Sequence, residues 1–145
     1  MIDYKGIAVR LDKLNEYLKF LKSYQKISFA EFKKDYTLQG AVCRYFQLAV
    51  ECVTDTGELL ISSLALRKPK DAKEVIMILG ENKIIPAAFA KRFAPVAGFR
   101  NILVHEYLEI DFKKVYQHLR KDLSDFNLYA KRIALYVKAK SRLTQ

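Results

Sequence analysis

Tryptophan is absent from the 145 residues. Histidine, cysteine, proline and glycine are scarce, at two, two, three and five. So little glycine and proline excludes a turn-rich β architecture and favours helices. The two cysteines, Cys43 and Cys52, lie nine positions apart, about 900° on one helix, so they face opposite sides and cannot bridge there. Their spacing is not that of metal ligands. They read as buried apolar thiols of a reducing compartment, which the cytoplasm provides. No apolar run approaches the ~20 residues of a membrane span. The opening "MIDYKGIAVRLDKL" lacks the apolar block of a signal peptide, so a cytoplasmic protein without membrane attachment is expected. Acidic residues are also short: 16 against 26 Lys and Arg, a net charge of +10. That balance suits an anionic partner, whether nucleic acid, nucleotide or acidic protein.

Half of the chain is hydrophobic, with nine Phe and nine Tyr, enough to bury a core in a single domain over residues 1–145. Ile7, Leu11, Leu14, Leu18 and Leu21 recur at three and four, which predicts an amphipathic helix over about 3–25. "SFAE" at Ser28 to Glu31 reads as a capping box for a short helix, with Phe29 and Phe32 turned inward. The longest uninterrupted segment, about 37–66, is apolar on more than one side and predicts the central helix. Asp71 to Glu74 opens a helix over about 72–79, with Gly80 as its C-terminal cap. Pro86 suits the first turn of a helix over about 86–104, which Pro95 should kink. Asp111 caps a last long helix over about 112–140. Nothing reads as a strand. The expected fold is all-α, an up-and-down helical bundle of about four long helices plus short ones.

From Asp111 onward there are nine Lys and Arg, at 113, 114, 120, 121, 131, 132, 138, 140 and 142, against three Asp. Two readings stand: a solvated helix face, or a track for a polyanion with Tyr116, Tyr129 and Tyr136 as stacking platforms or as core and rim. His118 precedes Asp122 by four and reads as a surface pair.

The other histidine sits in "FRNILVHEY", Phe99 to Tyr107. On a helix, Asn101 and His105 share a face and Arg100 stands about 100° away. Histidine works as a general acid or base near neutral pH. Arginine neutralises a phosphate or its transition state. Asparagine donates to a phosphate oxygen or orients the imidazole. This set suffices in kind to cleave RNA without a metal or cofactor. The bland alternative is a histidine that caps a helix C-terminus. For Tyr107 it is a core aromatic at the helix exit.

"FRNILVHEY" with the following "LEID" resembles the signature of the HEPN superfamily, specifically the HepT-like ribonuclease toxins: Arg, a polar residue, three positions, His, any residue, Tyr. Here it falls on Arg100, Asn101, His105 and Tyr107. "AVCRYFQLAVEC", with Arg44, Gln47 and Glu51, looks like the family's central helix. "IIPAAFAKRFAPVAGFRN" looks like the helix leading into the motif, and "EIDFKKVYQHL" like the last helix. Pro95 departs from the pattern and bears on the angle at which Arg100 enters the site.

The resemblance implies a HEPN helical bundle whose homodimer joins two motifs in one composite cleft and cleaves RNA without a metal. It assigns catalysis to Arg100, His105 and Asn101; RNA contact is expected at Lys113, Lys114 and Arg44. It also implies a partner, an MntA-type nucleotidyltransferase antitoxin that transfers AMP to Tyr107. Dimerisation has a physical argument of its own. One Arg and one His make a thin site that a two-fold axis doubles, and the apolar sides of the central helix leave surface to bury. The alternative function is a non-catalytic helical subunit that holds nucleotide or substrate for a nucleotidyltransferase. A weaker one is a structural adaptor.

Overall fold

Asp3, Ser28, Asp35, Asp71 and Asp111 start five of the helices, each by accepting a hydrogen bond from a backbone N–H of the first turn that has no carbonyl partner of its own. The computed structural model describes residues 1–99 and 110–143. Its helices are α1 (Tyr4–Ser23), α2 (Phe29–Lys34), α3 (Tyr36–Ser63), α4 (Ala72–Glu81), α5 (Ala87–Phe93), α6 (Phe112–Lys121) and α7 (Leu123–Leu143). No strand occurs among the described residues.

Central α3 packs along α1 on one side and α4 on another. α1 also packs on α7, α4 on α5, and α2 bridges α3 and α6. The α1 stripe of Ile7, Leu11, Leu14, Leu18 and Leu21 is buried as its spacing requires. α3 buries Val42, Phe46, Ala49, Val50, Val53 and Leu60 around more than one face. Most of this apolar surface is covered within the chain, while Leu48 is half-buried and Tyr36 exposed on the same helix. Among the described residues, the large apolar side chains left exposed within helices are Val9, Tyr36, Leu135 and Leu143.

Polar groups inside this core are satisfied. The buried Gln39 amide donates to the carbonyls of Phe32 (2.9 Å) and Lys33 (2.8 Å), capping the end of α2. Tyr129 is fully buried and donates to Val53 O (2.7 Å), and its hydroxyl lies 2.9 Å from Thr56 Oγ1. Tyr129 therefore ties α7 to α3 and offers no face for a base. Cys43 is half-buried and Cys52 buried, both as free thiols.

The structure corrects three expectations. Gly80 is not a cap: α4 runs on to Glu81, and Asn82 closes it. Gly80 is buried within the helix, where a Cβ would stand 2.4 Å from the Cβ of Ala90. Its role is to let α5 approach α4, while Lys83, with φ 58°, takes the left-handed position. Pro95 breaks rather than kinks its helix. α5 ends at Phe93, residues 94–95 form a turn, and helical backbone resumes at 96–99. The bonds from Ala97 N to Ala94 O (3.2 Å) and Gly98 N to Pro95 O (3.0 Å) are of the tighter i→i+3 kind. The last helix is two, α6 and α7. Asp122 ends α6 with its N–H on His118 O (2.9 Å), and its own carbonyl receives the N–H groups of Asp125 and Phe126. The break is thus made by the Asp122 backbone, while its carboxylate turns to the His118 imidazole.

Candidate active site

The helical segment at 96–99 delivers the chain to Arg100. Arg100, Asn101, His105 and Tyr107 themselves lie outside the described residues. Phe99 fixes the point of departure: it is buried, with its ring edge-on to Phe46 of α3 at 5.4 Å and against the His118 imidazole at 4.3 Å between centroids.

Around this point lies a cleft of about 830 Å³. Pro95, Val96, Gly98 and Phe99 form its apolar side, and Arg92, Lys114, Gln117, His118, Asp122 and Asp125 its polar side. Two of the polar pairs are held in place. Arg92 Nη2 reaches Asp125 Oδ1 at 3.0 Å, joining α5 to α7. His118 Nδ1 contacts Asp122 Oδ2 across one helical turn. A carboxylate accepts, so Nδ1 carries the proton and Nε2 is the nitrogen left for a ligand. The expected His118–Asp122 pair is therefore present, but it lines a cleft against Phe99 rather than an open surface. Spacing reveals such a pair, whereas nothing local announces Arg92 with Asp125 or His118 with Phe99.

Of the candidate RNA-contact residues, Lys114 lines this cleft and Lys113 is exposed beside it in the first turn of α6. The Asp111 carboxylate accepts from the backbone N–H groups of both, at 3.1 and 3.3 Å, which fixes where that turn starts. Arg44 is exposed on α3. It stands two residues, about 200°, from Phe46, so it projects away from the side of α3 that meets Phe99. On Arg44's own face, Gln47 Nε2 donates to Glu51 Oε1 at 3.2 Å. Of the three tyrosines, Tyr116 is half-buried, donates to Ile27 O at 2.7 Å and stacks on Phe29. Tyr136 is half-buried with Lys140 Nζ 5.4 Å from its ring centre.

A second groove, of about 540 Å³, is lined by Glu51, Asp55, Glu58 and Asp71 among others and is acidic. It repels the polyanion that the overall charge attracts, so the cleft beside Phe99 is the better candidate. Among the described residues, no three or more His, Cys, Asp and Glu side chains are grouped to hold a metal ion, and no helix is long and apolar enough to cross a membrane.

Comparison with known proteins identifies the family. A tRNA nuclease HepT of Aphanizomenon flos-aquae is 31% identical over 131 residues, which cover 90% of this chain and 89% of the relative. An mRNA nuclease HepT of Shewanella oneidensis is 27% identical over 100 residues, 69% of this chain and 75% of that one. The fold matches YutE, a cytosolic protein of unknown function from Bacillus subtilis, with a TM-score of 0.85 at 22% identity over 96% of this chain and 93% of that one. It also matches a tri-AMPylated HEPN toxin of Shewanella oneidensis, solved in complex with its MNT antitoxin. That TM-score is 0.81 at 24% identity, over 93% of this chain and 99% of that one. The sequence model of the family described as ribonuclease HepT-like matches residues 14–133, which span the cleft and the Phe99–Tyr107 phrase, and the chain belongs to that family.

Proposed function

We propose that this chain is a metal-independent endoribonuclease, the toxin of a toxin–antitoxin pair, and that it acts in the cytoplasm. The observation that carries the reading is the intact Arg100, Asn101, His105, Tyr107 phrase inside the segment that matches the ribonuclease family. His105 takes the proton from a ribose 2′-hydroxyl. The 2′-oxygen attacks the adjacent phosphorus, the bond to the 5′-oxygen breaks, and that oxygen takes up a proton. The products are a 2′,3′-cyclic phosphate and a 5′-hydroxyl. Arg100 stabilises the charge that grows on the phosphoryl oxygens, and Asn101 orients the phosphate or the imidazole. Lys113, Lys114 and Arg44 contribute attraction to the RNA backbone.

In this reading the active species is a homodimer whose two motifs share one cleft, so activity falls on dilution below the dimer constant. An MntA-type nucleotidyltransferase neutralises it. The Tyr107 phenol oxygen attacks the α-phosphorus of ATP, pyrophosphate leaves and the phenolic proton is lost. The adenylate adds charge and bulk where the RNA phosphate must sit. The tri-AMPylated toxin among the structural neighbours supports this route.

The test is expression in a bacterium with and without the partner. Expressed alone, the protein should arrest growth, and His105→Ala should relieve the arrest. Co-expression with a cognate nucleotidyltransferase should add adenylate to the intact mass, and Tyr107→Phe should stay toxic. Expression alone without arrest, together with tight nucleotide binding, would favour a non-catalytic nucleotide-holding subunit. An unmodified protein that is nevertheless neutralised would mean that the partner works by binding.

A further inference from the structure

We propose that the cleft between the end of α5 and the α6–α7 joint is a subsite for one nucleotide of the RNA strand, adjoining the scissile phosphate. In it, Lys114 takes the phosphate and His118 the edge of the base. The proposal rests on the ribonuclease reading above for its substrate, but the cleft argues for this occupant by its own lining.

Its volume, about 830 Å³, lies within the range of small-ligand and cofactor sites, and it has the mixed character such sites share: an apolar wall faced by a few convergent polar groups. Gly98 adds no side chain to the wall that it shares with Pro95 and Val96. Among the described residues a Cβ built there would meet nothing within 4 Å, which leaves room for a ligand on that side of the wall. A planar base fits against such a wall.

The polar side is arranged rather than merely charged. Asp125 is held by Arg92, and Asp122 by His118. Both carboxylates that would repel a phosphate are thus turned to partners of their own. Lys114 is a lining cation with no ion-pair partner among the described residues. It is exposed and projects from the first turn of α6. The His118 tautomer set by Asp122 leaves Nε2 as an acceptor in the neutral ring and a donor in the protonated one, and the Gln117 amide beside it can do either. These are groups that read a base edge. The same imidazole packs on Phe99, one residue before Arg100, so a base held here lies next to the segment that carries the reacting groups.

The experiment uses the full chain, labelled for NMR, titrated with a 2′-O-methyl RNA trinucleotide that lacks the nucleophile for cleavage. The amide of Gly98 and the imidazole of His118 should shift saturably. Gly98→Leu, which places a side chain on the cleft wall, and Lys114→Glu should each weaken binding by about tenfold, the scale of one lost base stack or phosphate contact. A His118→Gln variant should change the relative affinity for trinucleotides that differ in one base. Shifts confined to other surfaces, or wild-type affinity in both Gly98→Leu and Lys114→Glu, would overturn the subsite. Preference for a peptide or protein partner at these residues would do the same. Cleavage of an unmodified RNA is assayed in parallel. Binding in the cleft without cleavage would refute the nuclease reading and leave the subsite standing, and cleavage without binding in the cleft would do the reverse.

Discussion

The imidazole of His118, with its centroid 4.3 Å from that of Phe99, couples the α6–α7 joint to the last residue before Arg100. On its other side Phe99 stands edge-on to the fully buried Phe46. The start of the motif segment is thus clamped between the central helix and a histidine held by Asp122. Phe99→Ala should destabilise the protein by about 3–5 kcal/mol, the usual loss for a buried phenylalanine. It should also lower cleavage by the folded fraction, because Arg100 loses its anchor. Phe99→Leu should recover most of the stability. Urea titrations of the three proteins, with activity measured well below the transition, separate the two effects.

The glycines give a matched pair. Gly80→Ala places a methyl 2.4 Å from the Ala90 Cβ, a short rigid group that cannot turn aside. Overpacking of this kind costs about 1–3 kcal/mol, more than the ~1 kcal/mol that alanine gains in a helix. Gly40 is exposed on α3, and a Cβ there meets nothing within 4 Å. Gly40→Ala should therefore stabilise by about 0.5–1 kcal/mol. Thermal melts of the two variants should move in opposite directions.

Burial pushes both thiols, Cys43 and Cys52, up to about 11, and Asp55 and Glu51 add to the effect at Cys52. In the unfolded chain a thiol ionises near its ordinary value of 9.0. The folded state holds these protons longer, so this contribution to stability is complete below about pH 9 and declines as pH rises toward 11. Native protein should react slowly with a thiol reagent at pH 8 and rapidly once unfolded. Fast native labelling of Cys52 would contradict its burial.

Helix starts were legible in the sequence because a cap is a local event: Ser28, Asp71 and Asp111 lie within three residues of the N–H groups from which they accept. The apolar stripe of α1 was legible for the same reason of short range. The break at Asp122 was not, since the apolar period continues through it from Val115 and Leu119 to Phe126 and Ile133. Gly80 looked like a cap because the residue that excludes a side chain there, Ala90, belongs to another helix. The site divides in the same way. Arg100, Asn101, His105 and Tyr107 form a contiguous phrase that could be matched to a family. The cleft is assembled from α5, α6 and α7 through pairs such as Arg92 with Asp125, 33 positions apart.

At the motif, Arg100→Ala and His105→Ala should each lower kcat by at least a hundredfold, the scale of one general base or one electrostatic stabiliser. Their urea midpoints should move little. Arg100→Lys should recover only part of the rate, because a guanidinium holds two phosphate oxygens and an ammonium presents a point charge. Near wild-type turnover in either alanine variant would remove that residue from the chemistry.

The most direct measurement is cleavage of a synthetic RNA by the purified protein in excess EDTA, with the product ends identified by mass spectrometry. Metal-independent cleavage should proceed undiminished to 2′,3′-cyclic phosphate and 5′-hydroxyl ends, and should be absent with His105→Ala. Loss of cleavage in EDTA, products with 5′-phosphate ends, or unchanged cleavage by His105→Ala would contradict it.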